Sequence, residues 1–357
     1  MRLSLPTLPH PYDLRKYAFG IGLAALGGVI FHLLNLPLPW MLGAMAVTIV
    51  AATQEAPIKP ADALRPTVVS IIGVMLGSSF HSETFSQIGV WSLSLGFLYL
   101  CVVLQAALVS IYFRKLGGMD PVTALFSSMP GGLVEMMEIG KQYGGDEKTI
   151  ILSHAARIVL VIALTALWFR LVLGLEVSGV MPTAGGQTGP LDLLLLLLCA
   201  LIGAYGGLKL KLPAPTFLGP MLCSAAIHIA GLTDGSPPLP IVIVAQVILG
   251  SVVGGRFLGV SSRRVGQVFV MSLGATVMML AIALLFAFAL TSLLGQSAEQ
   301  ILLAFAPGGL TEMSLISLSM GADVAYIATH HLVRVVTLLA IAGTVLSRIA
   351  LWLSKER

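Results

Sequence analysis

The sequence predicts an all-α polytopic membrane protein made of two inverted five-span repeats, each with a broken or re-entrant helix pair. Three observations predict this. Apolar residues make up 57% of the chain and charged residues 10%, a balance that does not suit a water-exposed surface. The apolar runs last about 17 to 27 residues, the length that crosses a ~30 Å hydrocarbon core at 1.5 Å per residue. One phrase also occurs twice: Pro130-Gly131-Gly132-Leu133-Val134-Glu135-Met136 returns 177 residues later as Pro307-Gly308-Gly309-Leu310-Thr311-Glu312-Met313. The register then holds without a gap, matching Gly144 to Gly321, Asp146 to Asp323, His154 to His331 and Arg157 to Arg334.

Mean hydropathy is +0.97, and the runs lack the period-2 alternation of a barrel strand, so the spans are helices. The first copy, residues 17–175, opens with a span over 17–34. Leu36-Pro37-Leu38-Pro39 then forces an extended link, because proline fixes φ and restricts its predecessor. A shorter span runs from Trp40 to Thr53, a polar loop from Gln54 to Arg65, and a Gly-rich span from Thr67 to Phe80. His81-Ser82-Glu83 is a polar tip, and 88–113 a long span stopped by Arg114-Lys115. Between Asp120 and Gly145, two apolar pieces of about ten residues flank Pro130-Gly131-Gly132, each too short to cross alone. A full span from Thr149 to Val172 carries His154 and Arg157.

Residues 176–191 read as a linker, rich in Gly, Pro and Thr. The second copy, 192–350, repeats the plan with spans at 192–208, 214–231, 241–257 and 266–293, a split stretch at 299–321 and a last span at 324–347. Leu212-Pro213-Ala214-Pro215 echoes the first link. Gly250 and Gly254 echo Gly73 and Gly77, a spacing that lets helix backbones approach closely.

Lysine and arginine mark the cytoplasmic side of short loops. With a cytoplasmic N-terminus and split stretches that enter and leave on one side, 17 of the 20 basic residues fall inside. Arg170 falls outside, and Arg157 and Arg334 lie within the membrane. Five crossings per copy make the copies inverted, with both termini cytoplasmic in a bacterial inner membrane. Trp40, Trp91 and Trp168 then sit near the outer interface.

Broken helices at equivalent places in inverted halves point to a solute site near the midplane. The expected substrate-binding residues are Pro130, Gly131, Gly132, Glu135 and Arg157, with Pro307, Gly308, Gly309, Glu312 and Arg334. Each Pro-Gly-Gly starts a half-helix whose bare N–H groups favour an anion or a carboxylate, with Glu135 or Glu312 in its first turn. The alternative is a hairpin tip whose Glu caps its own helix. Arginines this deep need a partner, for which Glu135, Glu312 or an anionic ligand is expected. Glu135, Glu312, His154 and His331 are the candidates for carrying a proton; for the histidines a helix-packing hydrogen bond is the equal alternative. Glu138 and His330 lack counterparts in the other copy, where Leu315 and Ser153 stand. Asp146 and Asp323 read as helix N-caps.

The net charge of +4 comes from loop lysines and arginines, with no basic aromatic stripe for nucleic acid. Cys101, Cys199 and Cys223 are isolated in apolar runs, without CxxC spacing. Met1 to Lys16 carries charges and three prolines, unlike a cleaved signal peptide. No GxSxG, GxxxxGK[ST], HExxH or CxxCH motif occurs, so no enzyme chemistry, cofactor or metal is expected. The expected partners are a small, anionic solute, protons and the lipid bilayer; whether copies associate is left open. The function expected is secondary transport. A membrane sensor that acts on gene expression indirectly is the alternative, and an intramembrane metal-dependent oxidoreductase a more distant one.

The doubled Pro-Gly-Gly-Leu-x-Glu-Met, the later His-x-x-Arg and the Leu-Pro-x-Pro near each copy's start resemble the AbrB family of bacterial inner-membrane proteins. The resemblance covers residues 17–350. It implies a duplicated membrane protein. Members also carry the labels ammonia monooxygenase or regulator of gene expression. The name is shared with small soluble DNA-binding regulators built as swapped hairpins, which this chain does not resemble.

Overall fold

A computed structural model describes residues 11–80, 88–175, 177 and 188–354. The polar tip at 81–83, most of the 176–191 linker, Arg2, Lys355 and Arg357 lie outside the described residues. Fifteen α-helices and no strand occur among the described residues. Seven of them are long and apolar enough to cross a membrane.

In chain order these are α1 (Pro11–Leu33), α2 (Pro39–Thr53), α3 (Arg65–Gly77), α4 (Ile88–Lys115), the short pair α5 (Pro121–Ser128) and α6 (Leu133–Gln142), and α7 (Glu147–Leu171). The plan repeats as α8 (Pro190–Lys209), α9 (Pro215–Ile229), α10 (Leu239–Gly254), α11 (Ser262–Leu294), α12 (Ala298–Phe305), α13 (Leu310–Ser319) and α14 (Val324–Ile341), followed by α15 (Ser347–Ser354). The matched Leu-Pro-x-Pro links take the same shape. Leu38 and Ala214 are left-handed, at φ 45° and 46°, and the proline after each starts the next helix. One expected element differs. The last span breaks at a π-turn over Ala342–Leu346, where Ser347 Oγ donates to Ala342 O at 2.9 Å and the chain continues to Ser354.

The helices form two packed groups. One contains α1 to α3 and α8 to α10; the other contains α4 to α7 and α11 to α14. Glycine holds the first group together. Gly27 on α1 and Gly43 on α2 are so close that a Cβ on either would come within 2.2 Å of the other's carbonyl oxygen. Gly203 on α8 and Gly219 on α9 repeat this, at 2.6 and 1.9 Å. The GxxxG pairs act across copies: Gly73 and Gly77 of α3 lie against Phe217 and Met221 of α9, and Gly250 and Gly254 of α10 lie against Met41 and Met45 of α2. So α3 of the first copy packs on the second helix of the other copy, and α10 returns the contact.

Loop contacts sort the helix ends into two sets. At one end Arg256 meets Asp62 at 3.3 Å, Ser262 Oγ donates to Thr53 O at 3.2 Å, and Arg264 Nη2 donates to Thr149 Oγ1 at 2.8 Å. At the other, Leu38 N donates to Val177 O at 2.8 Å and Thr188 Oγ1 to Ser236 O at 3.1 Å. The basic loops around Lys59, Lys148 and Arg264 belong to the first set.

Candidate functional site

Each Pro-Gly-Gly interrupts a helix. Met129 to Gly132 and Ala306 to Gly309 are extended at both ends of the break, with ψ between 128° and 148°. Each pair folds back on itself. Thr123, near the start of α5, accepts from the backbone N–H of Asp146, just past the end of α6, at 2.7 Å. A straight path through α5, the break and α6 would separate those residues by more than about 30 Å at 1.5 Å per residue. The second copy closes the same way: Asp323 N donates to Gln300 Oε1 at 3.2 Å. Asp146 and Asp323 cap α7 and α14, as expected, accepting from Lys148 N and from Ala325 and Tyr326 N.

The buried arginines bind the broken helices through backbone oxygen. Arg334 Nη1 donates to Ala306 O at 2.6 Å, and Nη2 to Gly308 O at 2.8 Å and His331 Nδ1 at 2.9 Å. Arg157 Nη1 donates to Ser127 O at 3.3 Å and Nη2 to His154 Nδ1 at 3.0 Å. Each histidine passes the chain of bonds on, His331 Nε2 donating to Leu303 O at 2.8 Å and His154 Nε2 to Phe126 O at 2.9 Å. A carbonyl only accepts and a guanidinium only donates, so each imidazole is held neutral, protonated on Nε2. A histidine can take a second proton only if it releases its arginine.

Glu135 and Glu312 are not the arginines' partners here. Each carboxylate folds back over its own helix start, where an added Cβ on Gly132 or Gly309 would lie 2.1 or 1.9 Å from its Oε2. The first turn of a half-helix offers unbonded N–H groups, and a third-position glutamate reaches them more readily than it reaches the next helix. Glu135 is exposed and Glu312 half-buried, within electrostatic range of Arg65. No carboxylate lies within ion-pairing distance of Arg157 or Arg334 among the described residues.

Both arginines lie ten residues inside their helices, about 15 Å at 1.5 Å per residue. They are within electrostatic range of each other. Arg157 is 5% exposed and Arg334 2%, and the Nε of each has no partner among the described residues. Beside Arg157 a small cavity, about 10 Å³, is lined by Ser127, Ser153 and Ser272 together with Val109 and Met279. The hydroxyls of Ser127 and Ser272 also lack partners.

Sequence reasoning singled out His330 and Ser153 as unmatched but missed Ser127, Ser272 and the second buried network to which His330 belongs. In it His330 Nε2 meets Ser94 Oγ at 2.8 Å, Ser94 Oγ meets Tyr326 OH at 2.5 Å, and His330 Nδ1 donates to Tyr326 O at 2.7 Å. The available signal was divergence between copies: under the 177-residue spacing Ser127 matches Ala304 and Ser153 matches His330. Among the described residues no cluster of three or more His, Cys, Asp or Glu side chains could hold a metal.

The chain is 25% identical over 358 residues to the "Uncharacterized protein YhjN" of Bacillus subtilis (strain 168), covering 92% of each chain. It is 24% identical over 328 residues to the "Putative regulator AbrB" of Escherichia coli (strain K12), covering 91% of this chain and 94% of that one. Residues 40–350 match the family described as "Transition state regulatory protein AbrB". A match that takes in α2 to α14, both Pro-Gly-Gly breaks and both buried arginines makes this chain a member of the AbrB family.

Proposed function

We propose that the protein is a secondary transporter of a small anionic solute, with two inverted repeats whose re-entrant pairs enter from opposite faces of a bacterial inner membrane. The observation that carries this reading is the pair of buried guanidinium groups, at matching depth in α7 and α14, with no carboxylate paired to either among the described residues. Buried cations are costly in hydrocarbon unless something of opposite charge comes to them. To the arginines the hairpins present carbonyl dipoles but no full charge, which leaves room for an anionic ligand.

The sorting of loops supports the inverted arrangement. With α5–α6 and α12–α13 folded back, and with the shorter α2 and α3 counted as crossings beside α1, α4 and α7, the first copy crosses five times and the second starts from the opposite face. The basic loops then gather on the side that lysine and arginine prefer, with both termini cytoplasmic. Glu135 and Glu312 are the proton carriers in this reading, because each can leave its helix start without breaking a buried arginine contact. Purified protein in proteoliposomes tests it, using labelled formate and acetate with and without an imposed proton gradient. Uptake should be present in the wild type, abolished by Arg157→Gln and uncoupled from the gradient by Glu312→Gln. Wild-type vesicles no more permeable than empty ones would contradict it.

The name of the Escherichia coli relative favours a second reading, a regulatory role. In it the membrane protein affects transcription through the solute it handles or through a bound partner. Recovery of a stoichiometric soluble protein with the purified chain is the result that would favour a partner.

A further inference from the structure

We infer that the duplicated site has split its duties, so that a small monovalent anion binds where Arg157 and Ser127 of the first copy meet Ser272 of the second, while the Arg334 side is a structural clamp. This rests on the transport reading for its purpose, though not for its chemistry. The two arginines hold matching places in sequence but make different bonds. Arg334 spends its two terminal nitrogens on Ala306 O, Gly308 O and His331, and so grips the hairpin tip itself. Among the described residues Arg157 reaches only Ser127 O, at 3.3 Å, and His154. Ser127 matches Ala304, two residues before the Ala306 that Arg334 grips, so Arg157 stops short of the tip.

What lies beside each arginine differs accordingly. At Arg157 the space is the cavity of about 10 Å³, with the Nε–H of Arg157 and the hydroxyls of Ser127 and Ser272 all buried and without partners among the described residues. Three unpaired donors around one cavity, one of them cationic, are the complement of an anion. A water can accept only two hydrogen bonds and leaves the charge uncompensated. At the matching place beside Arg334, His330 stands for Ser153 and its ring is tied to Tyr326 and Ser94. Leu95 stands for Ser272 and Ala304 for Ser127, so that side offers neither hydroxyl. The cavity admits one water-sized group. That fits a halide, or one oxygen of a short carboxylate whose remainder extends toward the hairpin tips.

The test is thermal unfolding of the detergent-purified full chain, titrated separately with chloride and with formate at constant ionic strength. Saturable stabilisation by one or both is expected in the wild type, since a ligand that binds only the folded state raises its apparent stability. Chloride alone acting marks a halide site, and formate acting marks a carboxylate site. Ser272→Ala should leave the ligand-free protein at least as stable, having removed an unpaired hydroxyl, yet weaken the anion's apparent affinity about tenfold or more. Ser272→Val should abolish the effect, and Arg334→Lys, if it folds, should keep it. Two results would overturn the inference: no saturable response to either anion in the wild type, or an undiminished response in both Ser272 variants. Stabilisation that maps to Ser272 in a protein without flux would sink the transport reading and leave this site standing. Flux that ignores both Ser272 variants would do the reverse.

Discussion

Arg334 makes three buried hydrogen bonds and Arg157 two longer ones, so the same substitution should cost different amounts at the two positions. A lysine at 334 cannot present a planar fork to two carbonyls and an imidazole at once. Arg334→Lys should therefore lower stability by ~2–4 kcal/mol, the range for stripping charged hydrogen bonds from buried acceptors. Arg157→Lys should cost less than half as much. Thermal melts of the two variants side by side check this, and equal losses would contradict it. That arginine and histidine sit together three residues apart was legible in the sequence. Their partners were not, because a hydrophobic pattern carries no information about which backbone oxygens a helix break sets free. Glutamate was the natural expectation for a buried arginine. It failed because a glutamate at the third helical position finds unbonded N–H groups in its own first turn.

At the scale of elements, the glycines separate contact from composition. Gly219 lies where a Cβ would come 1.9 Å from Gly203 O, whereas Gly96, Gly206 and Gly266 face open space. Gly219→Ala should separate α8 from α9 and cost several kcal/mol, on the order of an overpacked core. Gly96→Ala should be neutral or stabilising by ~0.5–1 kcal/mol, because alanine fixes less backbone freedom on folding. Loss of folded protein in size-exclusion profiles for the first and not the second is the check. The helix breaks allow a complementary prediction. A Cβ at Gly309 meets only the movable end of Glu312, so Gly309→Ala should fold normally while dislodging that carboxylate from the start of α13. Unaltered melting with altered proton coupling is expected; coupling unchanged would detach Glu312 from the mechanism. Helix boundaries were legible to within a few residues, since prolines, caps and apolar run lengths set them locally. The π-turn at Ala342–Leu346 was not, because nothing but an i to i−5 serine bond marks it.

For the whole molecule, the duplication predicted which helices would correspond but not which would touch. The exchange of partners, α3 on α9 and α10 on α2, follows from placing small residues at Gly73, Gly77, Gly250 and Gly254. Sequence alone shows that spacing without showing its partner. The exchange ties the two copies through paired contacts, so the group of α1 to α3 and α8 to α10 forms one frame built from both copies. The basic loops fall at one end of the helices by contact as well as by composition, and that agreement supports the proposal that the hairpins enter from opposite faces. It makes a demand on labelling. Lys148, at the mouth of the first hairpin, and Ser292, just before the second, are both exposed.

Single cysteines at these two positions, in a background without the native cysteines, test most directly whether the hairpins enter from opposite faces. A membrane-impermeant maleimide applied to intact cells stripped of their outer barrier should label Ser292→Cys and spare Lys148→Cys until the inner membrane is opened. Labelling of both positions from the same side would contradict the account.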